Sequence, residues 1–147
     1  MTRSALLAML EQDEGRRRFV YDDATGEPIK KGSVVKGNPT IGIGCELSMT
    51  GLTDEEIDYL AENRVGRCEA ELDRRWPWWR GLSEARQRVL VSMVFQMGAA
   101  GVSRFPKFLA ALQREDYAEA AAEMRDSAWA KQTPARCERL AAMMERG

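Results

Sequence analysis

The change of pattern near residue 53 constrains this chain more than any other feature. Before it, short β-type runs alternate with turn residues; after it, apolar residues recur at helical spacing almost to the end. The first region holds Phe19-Val20-Tyr21, Ser33-Val34-Val35 and Thr40-Ile41-Gly42-Ile43. Turn signals divide them at Asp22-Asp23-Ala24-Thr25-Gly26, at Gly32 and at Gly37-Asn38-Pro39. Six of the chain's twelve glycines fall between Gly15 and Gly44, so this stretch needs permissive backbone. The simplest arrangement is a small antiparallel sheet. Strands and helices kept apart along the sequence specify an α+β fold.

The helices announce themselves by their ends. Ala5, Leu6, Met9 and Leu10 predict a helix over 4–14, started by Thr2 or Ser4 and stopped by Gly15. Thr53-Asp54-Glu55-Glu56 is a capping box. It opens a stripe of Ile57, Leu60, Ala61, Val65, Cys68 and Leu72, a long helix over 53–75 that ends at Trp76-Pro77. A further helix runs from Ser83 to Gly98. Its segment Val89–Met97 is apolar nearly all round, the mark of a buried core helix. Shorter helices follow at 104–113 and 116–126, and the last begins at Thr133-Pro134 and runs to Glu145. The expected organisation is one domain over 1–147. Its β lobe covers 15–50, its connecting helix 53–75, and its helical lobe 76–147 together with helix 4–14. A cleft between lobes is a usual place for a ligand.

Composition removes several functions. The net charge is −1, from 22 basic and 23 acidic residues, which argues against a nucleic-acid binder working by phosphate neutralisation. The two parts differ in sign: residues 1–75 carry 11 basic and 15 acidic side chains, residues 76–147 carry 11 and 8. No apolar run is long enough to span a membrane, and the start has acids by Glu11 and no small-residue cleavage site, so neither insertion nor a secretory signal is expected. There is no histidine, which removes His-based triads and His-ligated metals. Cys45, Cys68 and Cys137 are odd in number and far apart, so free thiols are expected rather than a zinc site or disulfides. No cofactor or metal is implied.

Carboxylates are the remaining catalysts. Glu14 closes the first helix, where the dipole favours the protonated acid, and burial in a cleft would favour it further. Asp23 lies in a glycine-containing turn at a strand end, a better place for the ionised form. Two carboxylates in contrasting environments are the acid and base arrangement of glycoside hydrolysis. Spacing alone leaves open that both are ordinary solvated acids.

The surrounding residues are more specific. Met9-Leu10, Asp13-Glu14-Gly15, Tyr21, Asp23, Gly26 and Thr40-Ile41-Gly42-Ile43-Gly44 occur in order. They are followed by Met93-Val94-Phe95-Gln96-Met97-Gly98, Gly101-Val102, Trp129, Gln132-Thr133-Pro134 and Arg136. Taken together, the chain resembles the phage lysozyme (endolysin) family, glycoside hydrolase family 24, over nearly its whole length. The resemblance implies a lysozyme-like fold and hydrolysis of the β-1,4 bond between N-acetylmuramic acid and N-acetylglucosamine in peptidoglycan. It implies that Glu14 is the general acid, that Asp23 and Thr40 position a water on the far face of the sugar, and that the reaction inverts. It further implies that Phe95, Gln96 and Gly44 contact substrate and that Arg136 pairs with Glu14. The enzyme would be a monomer acting on peptidoglycan glycan strands without cofactor. It would be made in the host cytoplasm and reach the wall through a pore or lesion, or travel in a phage particle.

Departures from the T-even type of this family are as informative. Cys45 and Arg64 stand where that type has a His–Asp ion pair. The segment between Asp23 and Thr40 is longer and carries Lys30, Lys31 and Lys36, either a solvated hairpin edge or a basic lip for an anionic polymer. Two further sugar-contact positions fall on Phe108 and Glu123, which differ in type. Trp76, Trp78 and Trp79 read as a cap on the core, with sugar stacking as the alternative. Other readings kept open are a catalytically inactive wall-binding module, and a glycosidase of the same fold acting on a chitin-like polymer.

Overall fold

The computed structural model describes residues 2–147 and divides into two compact units, Met1–Asp58 and Tyr59–Gly147. The architecture is α+β: one three-stranded antiparallel sheet and seven α-helices among the described residues.

The first unit opens with α1 (Arg3–Glu14). The Thr2 hydroxyl accepts from Ala5 N–H at 3.4 Å, and Gly15 ends the helix at φ 75°, where a side chain would be strained. The sequence groups this helix with the helical lobe; here it falls in the unit that contains the sheet. It contributes no buried residue, so chain continuity through Gly15 into β1 decides its company.

The sheet runs in order β1 (Arg17–Asp22), β2 (Pro39–Gly42), β3 (Cys45–Glu46). Tyr21 lies opposite Thr40, and Arg17 opposite Gly42. Four residues of β1 thus cover the length of two on β2, and this irregularity bends the strand. The expected strand at Ser33–Val35 is not formed, and Val34 is 85% exposed. The segment that runs beside β1 is instead Glu27–Ile29: Asp22 N–H donates to Glu27 O at 2.9 Å and Ile29 N–H to Val20 O at 3.0 Å. The β propensity of Val34 and Val35 loses because the next two N–H groups, of Lys36 and Gly37, bind a carboxylate rather than a strand.

α2 (Asp54–Arg75) starts with the expected capping box: Thr53 N–H donates to Glu56 Oε2 at 2.8 Å, and Glu56 N–H to Thr53 Oγ1 at 3.3 Å. Of its apolar stripe only Leu72 is fully buried; Ile57, Leu60 and Val65 stay open to solvent.

The second unit has the larger core. A 3₁₀ turn, Pro77–Gly81, follows α2. α3 (Glu84–Val102) supplies Val89, Leu90, Met93 and Val94 to the interior, as its all-round apolar pattern predicts. Gly98, at φ 75°, breaks the helix before a last turn. α4 (Pro106–Gln113), α5 (Tyr117–Arg125), the short α6 (Ala128–Gln132) and α7 (Pro134–Arg146) complete it. α7 packs on α5, α3 and α6. The short α6 has no separate sequence signal; Ser127 caps it by accepting from Ala130 N–H at 3.1 Å. Trp79 is buried and its indole N–H donates to Asp73 at 2.8 Å, while Trp76 and Trp78 pack against the same core. This cluster caps the core, the first of its two sequence readings. All three cysteines are free thiols.

Candidate active site

Within the first unit, two stretches carry the candidate carboxylates. Glu14 is the last residue of α1, and Gly44 lies in the two-residue turn, Ile43-Gly44, that joins β2 to β3. A Cβ built on Gly44 would stand 2.9 Å from Glu14 Oε2, so the Glu14 side chain lies directly over the Gly44 backbone. Gly44 is itself left-handed, at φ 65°. Two independent demands therefore select glycine here, backbone conformation and closeness of the carboxyl group. Glu14 is exposed, not buried as the sequence suggests.

The other end of β1 is built on Asp22. Its buried carboxylate accepts from the N–H groups of Lys36 at 2.6 Å, Gly37 at 2.9 Å and Ala24 at 3.0 Å. The Lys36 N–H is the main cause that holds this carboxyl below its ordinary range, with Gly37 and Ala24 adding to it against the opposing effect of burial. These bonds close the base of the 24–37 loop and present the next residue, Asp23, to solvent.

Asp23 and Thr40 meet through Asn38. Asn38 donates to Asp23 from its backbone at 2.6 Å and from its amide at 3.2 Å. Its carbonyl accepts from Asp23 N–H at 3.1 Å and from the Thr40 hydroxyl at 3.2 Å. Thr40 is buried, so its hydroxyl is fixed, and Asp23 keeps lone pairs for a further donor. Asn38 and Asp22, which hold the candidate residues Asp23 and Thr40 in place, are what sequence reasoning misses. Gly37-Asn38-Pro39 signals a turn, but nothing in it says which side chains the turn will clamp. Gly37 packs so close to Asp23 and Ala24 that a Cβ there has no room.

Beyond the site, Glu46 fixes the turn after β3. It accepts from both the hydroxyl and N–H of Ser48 and from the N–H groups of Met49 and Thr50. These bonds, the Ser48 hydroxyl first, push its carboxyl down to about 2.

The remaining candidates lie in the second unit. Phe95 is half-exposed, with the Arg64 guanidinium 4.9 Å from its ring centroid. Gln96 accepts from Trp129 Nε1 at 3.0 Å, which fixes its amide orientation. Arg136 donates to Ser92, at 2.9 Å to Oγ and 3.3 Å to the carbonyl. Of the two departures at sugar-contact positions, Phe108 is fully buried in the core, which removes it as a contact, while Glu123 is half-buried beside Lys107.

The sequence profile of the phage lysozyme family matches residues 11–146. Among individual relatives, "Probable T4-type lysozyme 2" of Dictyostelium discoideum is 29% identical and covers 98% of this chain and 95% of its own. "Probable T4-type lysozyme 1" of the same organism is 27% identical with the same coverage. "Pre-baseplate central spike protein Gp5" of Enterobacteria phage T4 is 30% identical over 92% of this chain, which spans 27% of that protein's length. With a match from Glu11 to Arg146, through both groups of candidate residues, the chain belongs to the phage lysozyme family and is a glycoside hydrolase of lysozyme type.

Proposed function

We propose that the chain is a peptidoglycan muramidase in which Glu14, Asp23 and Thr40 carry the reaction. The observation that supports this reading is the construction of the first unit. The Glu14 side chain lies over a left-handed glycine, and Asp23 and Thr40 share one residue, Asn38, that aligns a carboxylate with a hydroxyl. A carboxylate and a hydroxyl side by side suit a water molecule. In the proposed step that water attacks the anomeric carbon of N-acetylmuramic acid. The glycosidic C–O bond breaks, the Glu14 proton passes to the leaving oxygen, and a proton of the water passes to Asp23. Configuration at the anomeric carbon inverts.

The proposal extends to where the enzyme works. It acts as a monomer on glycan strands, delivered from the host cytoplasm through an opening in the membrane or carried in a phage particle. The similarity to Gp5, whose name places that protein in a phage pre-baseplate, favours the second route.

The test is release of reducing ends from purified peptidoglycan. Glu14→Gln and Asp23→Asn are each expected to lower the rate by about 10²–10⁴-fold, the usual contribution of a positioned proton-transfer group. Wild-type rates in both variants would refute the assignment. Sedimentation of wild type with peptidoglycan, without release of reducing ends, would favour the binding module instead.

A further inference from the structure

The Lys30–Val35 turn of the first unit exposes apolar and basic side chains together. Asp22 N–H donates to Glu27 O and Ile29 N–H to Val20 O, which sets Tyr21 opposite Pro28. Continued along the pair, this register puts Lys30 opposite Phe19 at the outer edge of β1. The chain then turns: Ser33 N–H donates to Lys30 O at 3.0 Å, and Lys30 N–H to Ser33 Oγ at 2.9 Å. These bonds bring Ser33 back to Lys30, with Val34 next in the chain. Phe19 is 76% and Val34 85% exposed. Arg18, Lys30, Lys31 and Lys36 are exposed too, and among the described residues none of them makes an ion pair. Lys36 lends its charge to Asp22, which leaves Arg18, Lys30 and Lys31 free. Glu27 is the one carboxylate of the 24–37 loop, against three lysines.

Apolar tips among unpaired cations are the composition of a surface that enters a lipid headgroup layer. A soluble polyanion would use the cations and leave Phe19 and Val34 in water. A second copy of the turn would bring like charges together. No single helix among the described residues is long and apolar enough to cross a membrane, so the contact is peripheral.

We propose that this turn, with Arg18 and Phe19 beside it, is a docking surface for an anionic lipid bilayer. Phe19 and Val34 enter between the headgroups, and Arg18, Lys30 and Lys31 hold the phosphates. The surface does not depend on the muramidase reading, and each can fail without the other.

The test is sedimentation of the full chain with vesicles of phosphatidylcholine alone, or of phosphatidylcholine and phosphatidylglycerol in equal amounts. Wild type should bind the mixed vesicles about 10²-fold more tightly, about fivefold for each of three cations. Arg18→Gln/Lys30→Gln/Lys31→Gln should lose that preference. Arg114→Gln/Lys131→Gln/Arg139→Gln, which removes three exposed cations from the second unit, should keep it. Phe19→Ser/Val34→Ser should weaken binding to the mixed vesicles about tenfold, since two apolar side chains no longer leave water. It should leave binding to soluble poly(glycerol phosphate) unchanged. Equal binding of both vesicles by wild type would overturn the surface, as would equal losses in the two charge variants. Full vesicle binding by Phe19→Ser/Val34→Ser would overturn the bilayer in favour of a soluble polyanion.

Discussion

Replacing Gly44 by alanine separates the cost of a strained backbone from the cost of moving the proposed general acid, Glu14. At φ 65° an alanine costs about 1–2 kcal/mol from left-handed strain alone. For a chain of this length that lowers Tm by about 2–8 °C. The new Cβ would also stand 2.9 Å from Oε2, 3.0 Å from Cδ and 3.1 Å from Cγ of Glu14. Ordinary contact begins near ~3.5 Å, so the carboxyl must retreat by about 0.5 Å or more. Glu14 is exposed and can move at little cost to stability. Its displacement falls on the rate, where a misplacement of about 1 Å costs about 10²-fold. Gly51 supplies the control: it has the same φ of 65° and nothing within 4 Å of its ideal Cβ. Gly51→Ala should therefore match Gly44→Ala in Tm and keep wild-type turnover of peptidoglycan. Paired melting curves and reducing-end assays read both quantities. A folded Gly44→Ala with full activity, or a Gly51→Ala as slow as Gly44→Ala, would refute the reasoning.

Other predictions concern the supports of the site and the core. Gly37→Ala would place a Cβ 2.7 Å from the Ala24 backbone nitrogen, which cannot swing aside; overpacking of about 1–3 kcal/mol is expected in urea unfolding, with lower activity because Asp23 moves as well. Phe108→Ala removes a fully buried ring and should cost about 3–5 kcal/mol, measured by thermal melting, with little change in KM for the folded fraction. Glu46 and Asp22 have folded-state values below those of the unfolded chain. Their stabilisation is therefore complete above the ordinary carboxylate range and is lost as pH falls toward about 2. Glu46→Gln should flatten the acid limb of stability against pH between about 5 and 2, and an unchanged limb would contradict it.

What the sequence made legible was what local chemistry decides. Thr2, Gly15, the Thr53–Glu56 box and Ser83 mark helix ends through bonds to backbone a few residues away, and each of these ends is found. Ser33–Val35 misled because Ser33 is taken into a turn with Lys30 and the residues just after Val35, Lys36 and Gly37, are tied to Asp22, and pattern alone does not reveal a carboxylate 14 residues away. The α2 stripe has the right period, yet periodicity does not say how much of a helix finds a partner, and only Leu72 becomes fully buried. Glu14, Asp23 and Thr40 stand out by motif. Asn38, which joins two of them, is visible only once β1 and β2 are paired, since the bonds follow from the register of Asp22 opposite Pro39.

The Asp22 clamp also sets which changes of chain length the first unit tolerates. Because Lys36 and Gly37 are tied back to the residue beside Asp23, the 24–37 segment is a closed ring whose base is fixed independently of its circumference. Doubling such a ring adds only about 0.6 kcal/mol of closure entropy. The exposed arc Lys30–Val35 is therefore the place where inserted residues, an affinity tag or a wall-targeting peptide would ride on the enzyme without disturbing the carboxylate next to its base.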